Sequence, residues 1–141
     1  MNNQLKSKTR LAFIQVIFQH LSTKNNIEEI LDIFDKNYKS TYVDIFNSKK
    51  KIKFEFNSNF LKKLINYYIL FTASENYPLS INKFIDSSRK FEKWDLINQS
   101  IFLATLCELK NTENTKIKII FNDYLNISKS FVNHSDIGII N

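Results

Sequence analysis

Three cations near the start of the chain, Lys6, Lys8 and Arg10, have the residue types and the spacing to bind phosphate groups. The run "LKSKTR" that holds them opens an amphipathic stretch that becomes almost wholly apolar by Leu21. Cations at the N-terminus of a helix oppose its dipole, which favours acidic residues there. Because the cations gain nothing from the helix, we expect residues 1–8 to form a flexible basic arm that contacts an anionic partner.

The helix that follows the arm carries side chains that suit unpaired bases. On a helical wheel Lys8, Gln15 and Gln19 share one face, and Phe18 borders it at the edge of the apolar stripe. Amide groups form hydrogen bonds with base edges, and aromatic rings stack on unpaired bases. Packing in the core explains Phe18 equally well, because aromatic residues at helical spacing usually pack. The pattern favours single-stranded RNA as the anionic partner.

The composition indicates a folded helical domain and excludes several classes of enzyme. Of the 141 residues, 43% are hydrophobic, whereas Gly and Pro occur once each, too rarely for the tight turns of a sheet-rich fold. A single glycine also excludes glycine-rich phosphate loops. His20 and His134 have no neighbours at metal-ligand spacing. Cys107 stands on the most apolar stretch and is predicted to be a buried core thiol. We therefore expect no enzyme, no metal and no cofactor.

The charge distribution is more informative than the net charge of +6. Lysine, asparagine and isoleucine together are what AT-rich codons produce, so overall basicity is weak support for nucleic-acid binding. Residues 1–24, however, hold four cations and no acid, and Lys49–Lys53 forms a second cluster. That cluster is interpreted as a solvated loop, with RNA contact as the alternative. One cysteine, no secretory signal and no apolar run of about 20 residues favour the cytoplasm and no membrane.

Six amphipathic stretches with helical spacing predict an all-α fold, a compact single-domain bundle of about six to seven helices over residues 1–141. The second stretch is expected to continue or restart through Val43 and Phe46, and the fifth, apolar nearly all round, to be the central buried helix. A seventh stretch begins near residue 135 and is incomplete. The predicted helices begin near Leu5, Asn26, Ser58, Ser80, Asp95, Thr115 and Ser135.

Four segments resemble the NusB family of transcription antitermination factors. "TRLAFIQVIFQ" resembles the family's first helix, with the pattern R-x-x-A-x-Q-x-L-Y behind basic residues, and "SIFLATLCEL" resembles its buried "AILRLALYEL". "IKIIFNDYLNISKSF" is similar to "YKVAINEAIELAKSF", and "GIIN" falls where the family has "KFVNG". The order and spacing of these segments carry the resemblance. It spans both ends of the chain, whereas residues 36–90 match only in helical character.

The resemblance implies an all-helical protein without catalytic activity. NusB-like factors bind the single-stranded boxA element of ribosomal-operon transcripts together with NusE, a small-subunit ribosomal protein. The complex keeps RNA polymerase elongating past terminators. With the family's surface in mind, the candidate RNA-binding residues are Lys6, Lys8, Arg10, Gln15, Phe18, Ser135 and Asp136, and the candidate partner-binding residues are Asn98 and Gln99.

Departures from the family pattern keep other functions open. Leu103 replaces a family arginine, Phe18 replaces a tyrosine, and the acid that precedes the fifth helix is replaced around Asn98 and Gln99. These changes and the incomplete last helix motivate an alternative, a helical protein-interaction module with little or no specific RNA binding. A NusB-like domain ahead of an RNA methyltransferase fits less well, since no cofactor-binding segment follows. A DNA-binding helix-turn-helix lacks its short glycine turn.

Overall fold

Six α-helices build the part of the chain that the structure describes. The computed structural model describes residues 1–38, 41–44, 51–74, 76–85 and 88–130, with the backbone alone at 37–38, 41–44 and 51–54. The helices are α1 (Asn3–Thr23), α2 (Ile27–Ile33), α3 (Ser58–Thr72), α4 (Tyr77–Phe84), α5 (Leu96–Lys110) and α6 (Ile117–Ser128). The shorter elements are a π-helical turn (Phe34–Tyr38), strands β1 (Thr41–Asp44) and β2 (Lys51–Phe54), and two 3-10 turns (Phe91–Lys93 and Asn114–Lys116).

The N-terminal residues belong to α1, which begins at Asn3. The side-chain oxygen of Asn2 accepts a hydrogen bond of 2.7 Å from the backbone N–H of Leu5. This N-cap satisfies one of the N–H groups that the first turn of a helix leaves unpaired. The expectation of a flexible arm over residues 1–8 is therefore wrong, because residues 3–8 already have helical geometry.

The hydrophobic core surrounds α1. This helix packs against α5 most extensively and also against α2, α3 and α6. The expectation that the fifth helix is central is confirmed, because α5 contacts α1, α3 and α6. Cys107 of α5 is 1% exposed, as predicted for a core thiol, and burial raises its pKa to about 12. The largest fully buried side chains include Tyr68, Tyr124, Phe13, Phe91, Ile14 and Ile17.

Two short strands lie where the sequence predicted more helix. β1 and β2 pair antiparallel, with Thr41 opposite Phe54. The prediction that a helix continues or restarts through Val43 is wrong, and Phe46 lies outside the described residues. The segment "KIKF" alternates lysine with a β-branched or aromatic residue, and "TYVD" is rich in β-branched and aromatic residues, both of which favour strands. Apart from this pair of strands, the prediction of an all-α fold is confirmed.

Most helix starts agree with the sequence patterns. Those of α2, α3 and α5 are confirmed within one residue. α4 begins at Tyr77, before the predicted start at Ser80, because Pro78 fits the first turn of a helix, where its fixed φ is favourable. The seventh helix predicted from Ser135 lies outside the described residues. No helix in the described ranges is long and apolar enough to cross a membrane.

Candidate nucleic-acid interface and partner groove

The helical start of α1 separates Lys8 from the other two cations. A helix turns about 100° per residue, so Lys6 and Lys8 lie on nearly opposite sides of α1. Lys8 instead shares a row with Gln15 and Phe18, which follow it at helical spacing. Of the candidate RNA-binding residues, the structure therefore brings Lys8, Gln15 and Phe18 together and leaves Lys6 on another face. Ser135 and Asp136 lie outside the described residues.

The row formed by Lys8, Leu11, Gln15 and Phe18 is called the α1 stripe. All four residues are half-buried, whereas the exposed residues of α1 lie only at its two ends. Ten residues of helix separate the two ends of the stripe, which corresponds to about 15 Å. At its N-terminal end the stripe borders a cavity of about 300 Å³ between α1 and α6. The residues that line the cavity are Ser7, Lys8, Leu11, Asp123, Asn126, Ile127 and Ser130.

Arg10 has a different environment from Lys8. It is 7% exposed, and its guanidinium binds both oxygens of Glu108, with Nε–Oε1 at 2.9 Å and Nη2–Oε2 at 2.8 Å. Its Nη1 also donates to Oδ2 of Asp123 at 2.7 Å. The guanidinium thus donates its hydrogen bonds to two carboxylates of the protein itself. The assignment of Arg10 to RNA is corrected: this side chain joins α1 to α5 and α6.

Two hydroxyl groups complete this buried ion network. Tyr124 donates to Oε1 of Glu108 at 2.6 Å, and Ser7 donates to Oδ1 of Asp123 at 2.6 Å. Burial and the charge of Glu108 raise the pKa of Tyr124 well above its usual value, so the hydroxyl stays a donor. Sequence reasoning missed the network because Arg10 lies 98 residues from Glu108 and 113 from Asp123.

Lys8 remains accessible from solvent. Its Nζ lies 3.3 Å from Oε2 of Glu55, and the two side chains are 36% and 37% exposed. Glu55 belongs to the short segment between β2 and α3. In the described part of the chain Lys6 forms no ion pair. Of the Lys49–Lys53 cluster, the backbone of 51–53 lies in β2 and the rest is outside the described residues.

The two candidate partner-binding residues are buried in the first turn of α5. Gln99 is 8% exposed and donates from Nε2 to the backbone oxygen of Trp94 at 2.9 Å. The side chain of Gln99 therefore holds the segment that precedes α5 in place. Asn98 is 1% exposed, and among the described residues its Oδ1 is the buried side-chain atom without a hydrogen-bond partner.

Asn98 contributes to a largely apolar groove between α5 and α6, called the α5–α6 groove, with a volume of about 170 Å³. Phe121 lies at this groove and is 42% exposed. An apolar groove with one unpaired acceptor suits a ligand that brings apolar groups and a hydrogen-bond donor. The other residues that line it are Trp94, Ile101, Phe102, Thr105, Leu106, Leu109, Tyr124 and Leu125.

These features define a helical domain with a polar and aromatic stripe on α1 and an apolar groove between α5 and α6. Among the described residues, no group of three or more His, Cys, Asp or Glu side chains is placed to hold a metal ion. The model of the NusB family matches residues 7–141, and the chain belongs to the NusB family. It is a NusB-family transcription antitermination protein, and proteins of this family are not enzymes.

Known relatives support this membership. The transcription antitermination protein NusB of Rickettsia bellii (strain OSU 85-389) is 25% identical over 137 residues, covering 96% of this chain and 85% of the relative. Its counterpart from Rickettsia typhi (strain Wilmington) is 25% identical over 142 residues, covering 96% and 86%. That of Rickettsia rickettsii (strain Sheila Smith) is 20% identical over 141 residues, also covering 96% and 86%. No solved structure matches the chain. The resemblance seen in the sequence is confirmed.

Proposed function

We propose that this protein binds boxA-type single-stranded RNA of ribosomal-operon transcripts together with NusE. It would do so in the cytoplasm, as part of the antitermination complex on RNA polymerase. The α1 stripe is the observation that carries the proposal, because it places a cation, an amide and an aromatic ring in one half-buried row. Such a row suits a single strand whose phosphate and unpaired bases are contacted together.

Each residue of the α1 stripe has a role in this proposal. Lys8 neutralises a phosphate, Gln15 forms hydrogen bonds with a base edge, and Phe18 offers its ring to a base. Lys6, on another face of the same helix, contacts a phosphate further along the strand. Ser135 and Asp136, which lie outside the described residues, stay in the proposed RNA surface because of the resemblance to the family.

The α5–α6 groove is the proposed contact for NusE. Its lining is mainly apolar, and Phe121 is exposed at the groove. A partner that inserts an apolar side chain gains the free energy of burying it, about 25 cal/mol per Å². Oδ1 of Asn98 has no hydrogen-bond partner among the described residues and is itself buried, so a donor from the partner would reach it only after the groove widens. Gln99 acts indirectly by holding Trp94, which lines the groove.

The experiment is a titration of the protein into fluorescently labelled boxA RNA and a scrambled RNA of equal length. Anisotropy is measured at two salt concentrations, with and without NusE. We expect tighter binding to boxA RNA than to the scrambled RNA, and a further gain when NusE is present. Lys8→Ala should weaken binding, whereas Lys83→Ala, which removes an exposed lysine of α4, is the matched control.

A second candidate is a helical protein-interaction module with little specific RNA binding. The burial of Arg10 favours it, because one of the expected cations is unavailable to phosphate. In that case both RNAs would bind weakly and equally, and salt would abolish the binding. NusE would then bind the protein without changing its RNA affinity.

A further inference from the structure

Lys8, the cation of the α1 stripe, faces a carboxylate of its own chain. Its Nζ lies 3.3 Å from Oε2 of Glu55, which comes from the segment between β2 and α3. We infer that Glu55 is an internal competitor for RNA phosphate at Lys8 and thereby sets how strongly the α1 stripe binds RNA. This inference rests on the proposed RNA-binding function.

The backbone next to Glu55 is fixed against α1. Phe56 is 3% exposed, and the backbone N–H of Asn57 donates to Oγ1 of Thr9 at 2.9 Å. The side chain of Asn57 also caps α3 by accepting a hydrogen bond of 2.9 Å from the N–H of Phe60. None of these contacts involves the Lys8–Glu55 pair. The carboxylate therefore stays near Lys8 even when the ion pair opens.

A phosphate that binds Lys8 must displace this carboxylate or bind beside it, against its negative charge. The ammonium group offers three donors, and Glu55 takes one of them at 3.3 Å. Both side chains are more than one-third exposed, so the pair opens easily and salt screens it. After the exchange, the displaced carboxylate still repels the bound phosphate. Glu55 thus weakens every RNA complex that uses Lys8, whatever its sequence.

This competition lowers binding to unrelated RNA. Contacts to phosphate supply most of the affinity for non-specific RNA. Glu55 therefore keeps the protein from accumulating on unrelated RNA. Binding to boxA RNA is weakened by a similar factor, so the ratio of the two affinities stays the same.

The test uses Glu55→Gln, which removes the charge and keeps the size of the side chain. Glu29→Gln is the matched control, because Glu29 is an exposed acid on α2, beyond the opposite end of α1. At low salt Glu55→Gln should tighten binding to boxA RNA and to scrambled RNA about threefold to tenfold, as expected for one repulsive charge a few ångströms away. The gain should shrink at high salt, and Glu29→Gln should change little.

A double-mutant cycle with Lys8→Gln gives the decisive comparison. If Glu55 acts through Lys8, Glu55→Gln has little effect in the Lys8→Gln background. A gain of the same size in that background would overturn the inference, since it would reflect overall charge alone. Weaker binding by Glu55→Gln would also overturn it, because Glu55 would then position Lys8 for RNA. Circular dichroism and melting temperature show that each variant is folded.

The wild-type titration separates the two proposals. A wild-type protein that prefers boxA RNA, with a Glu55→Gln variant of unchanged affinity, overturns only the role of Glu55. A wild-type protein with no preference for boxA RNA at either salt concentration and no response to NusE overturns the proposed function, and this inference with it.

Discussion

Lys8 and Arg10 stand two residues apart on α1, yet their surroundings differ completely. Arg10 lies among α5 and α6, where two carboxylates and the nearby ring of Phe60, 5.6 Å from its guanidinium carbon, enclose it. Lys8 lies at the half-exposed edge and meets one carboxylate in contact with water. A step of two residues on a helix turns the side chain to another face. Despite equal charge and near-adjacent positions, Arg10 therefore has a structural role, whereas Lys8 stays at the solvent-accessible edge that the proposed binding role requires.

The difference also follows from the chemistry of the two cations. A guanidinium binds a carboxylate with two parallel hydrogen bonds and is weakly hydrated, so it suits a buried site better than an ammonium. Burial alone would lower the pKa of Arg10, but the hydrogen bonds and charge of Glu108, together with the hydrogen bond to Asp123, raise it above its usual value. Arg10 stays charged and is the cation that the two carboxylates share.

The largest expected effect comes from removing the buried cation. Arg10→Met should lower the free energy of unfolding by about 3–5 kcal/mol, because Glu108 would remain buried without its counter-ion. Urea denaturation followed by circular dichroism measures this loss, with Lys6→Ala as a control that should change stability by less than about 0.5 kcal/mol. An Arg10→Met variant as stable as the wild type would contradict the structural role of Arg10. A combined substitution of Lys6, Lys8 and Arg10 would carry the same loss of stability, so it would not test RNA binding alone.

Removing the exposed cation should affect RNA and leave the fold intact. Lys8→Ala should weaken RNA binding and reduce the slope of log affinity against log salt by about 0.7, the value for one phosphate contact on a single strand. Its unfolding free energy should change by less than about 1 kcal/mol, since a surface ion pair contributes little. Anisotropy titrations at several salt concentrations give the slope. An unchanged slope would remove Lys8 from the RNA surface.

A substitution of Asn98 tests whether this residue of α5 contributes to stability or to partner binding. Its buried Oδ1 lacks a hydrogen-bond partner among the described residues, so Asn98→Leu should be neutral or stabilising by about 1 kcal/mol. The same change should weaken NusE binding if the partner supplies a donor at this position. Thermal unfolding and a NusE titration measure the two effects. A marked loss of stability would mean that Asn98 serves the fold rather than the groove.

The smallest effect concerns pH at the C-terminal part of α1. Nδ1 of His20 lies 2.9 Å from the hydroxyl of Tyr68, and burial, together with the charge of Lys24, lowers the pKa of His20 below 6.5. The unfolded chain therefore binds the proton more readily, so stability is complete above about pH 6.5 and falls as the pH drops below it. Melting temperatures between about pH 8 and pH 5.5 should show this decrease, and His20→Gln should reduce it. An equal decrease in the variant would assign the pH dependence to other groups.

Patterns of neighbouring residues in the sequence predicted several helix starts and the burial of one core residue. The starts of α2 and α3 follow from asparagine side-chain caps before apolar periodic stretches. α5 begins after Asp95, whose side chain forms no cap hydrogen bond, and the burial of Cys107 follows from the apolar character of α5. Local patterns failed where a competing local signal decided. Pro78 moved the start of α4 forward, and neighbouring aromatic and β-branched residues favoured the strand at Val43.

The sequence by itself determined an all-α domain of the NusB family, because helix periodicity, cap residues and the order of four motifs are all written along the chain. Only the tertiary structure decided that Arg10 is buried in an ion network and that Lys8 stays accessible to solvent. Arg10 meets Glu108 and Asp123 across α5 and α6, and Lys8 meets Glu55 from another part of the chain. Linear order does not specify contacts between residues so far apart, since they arise when hydrophobic packing brings the helices together. The role of a charge then depends on the partners that packing places around it.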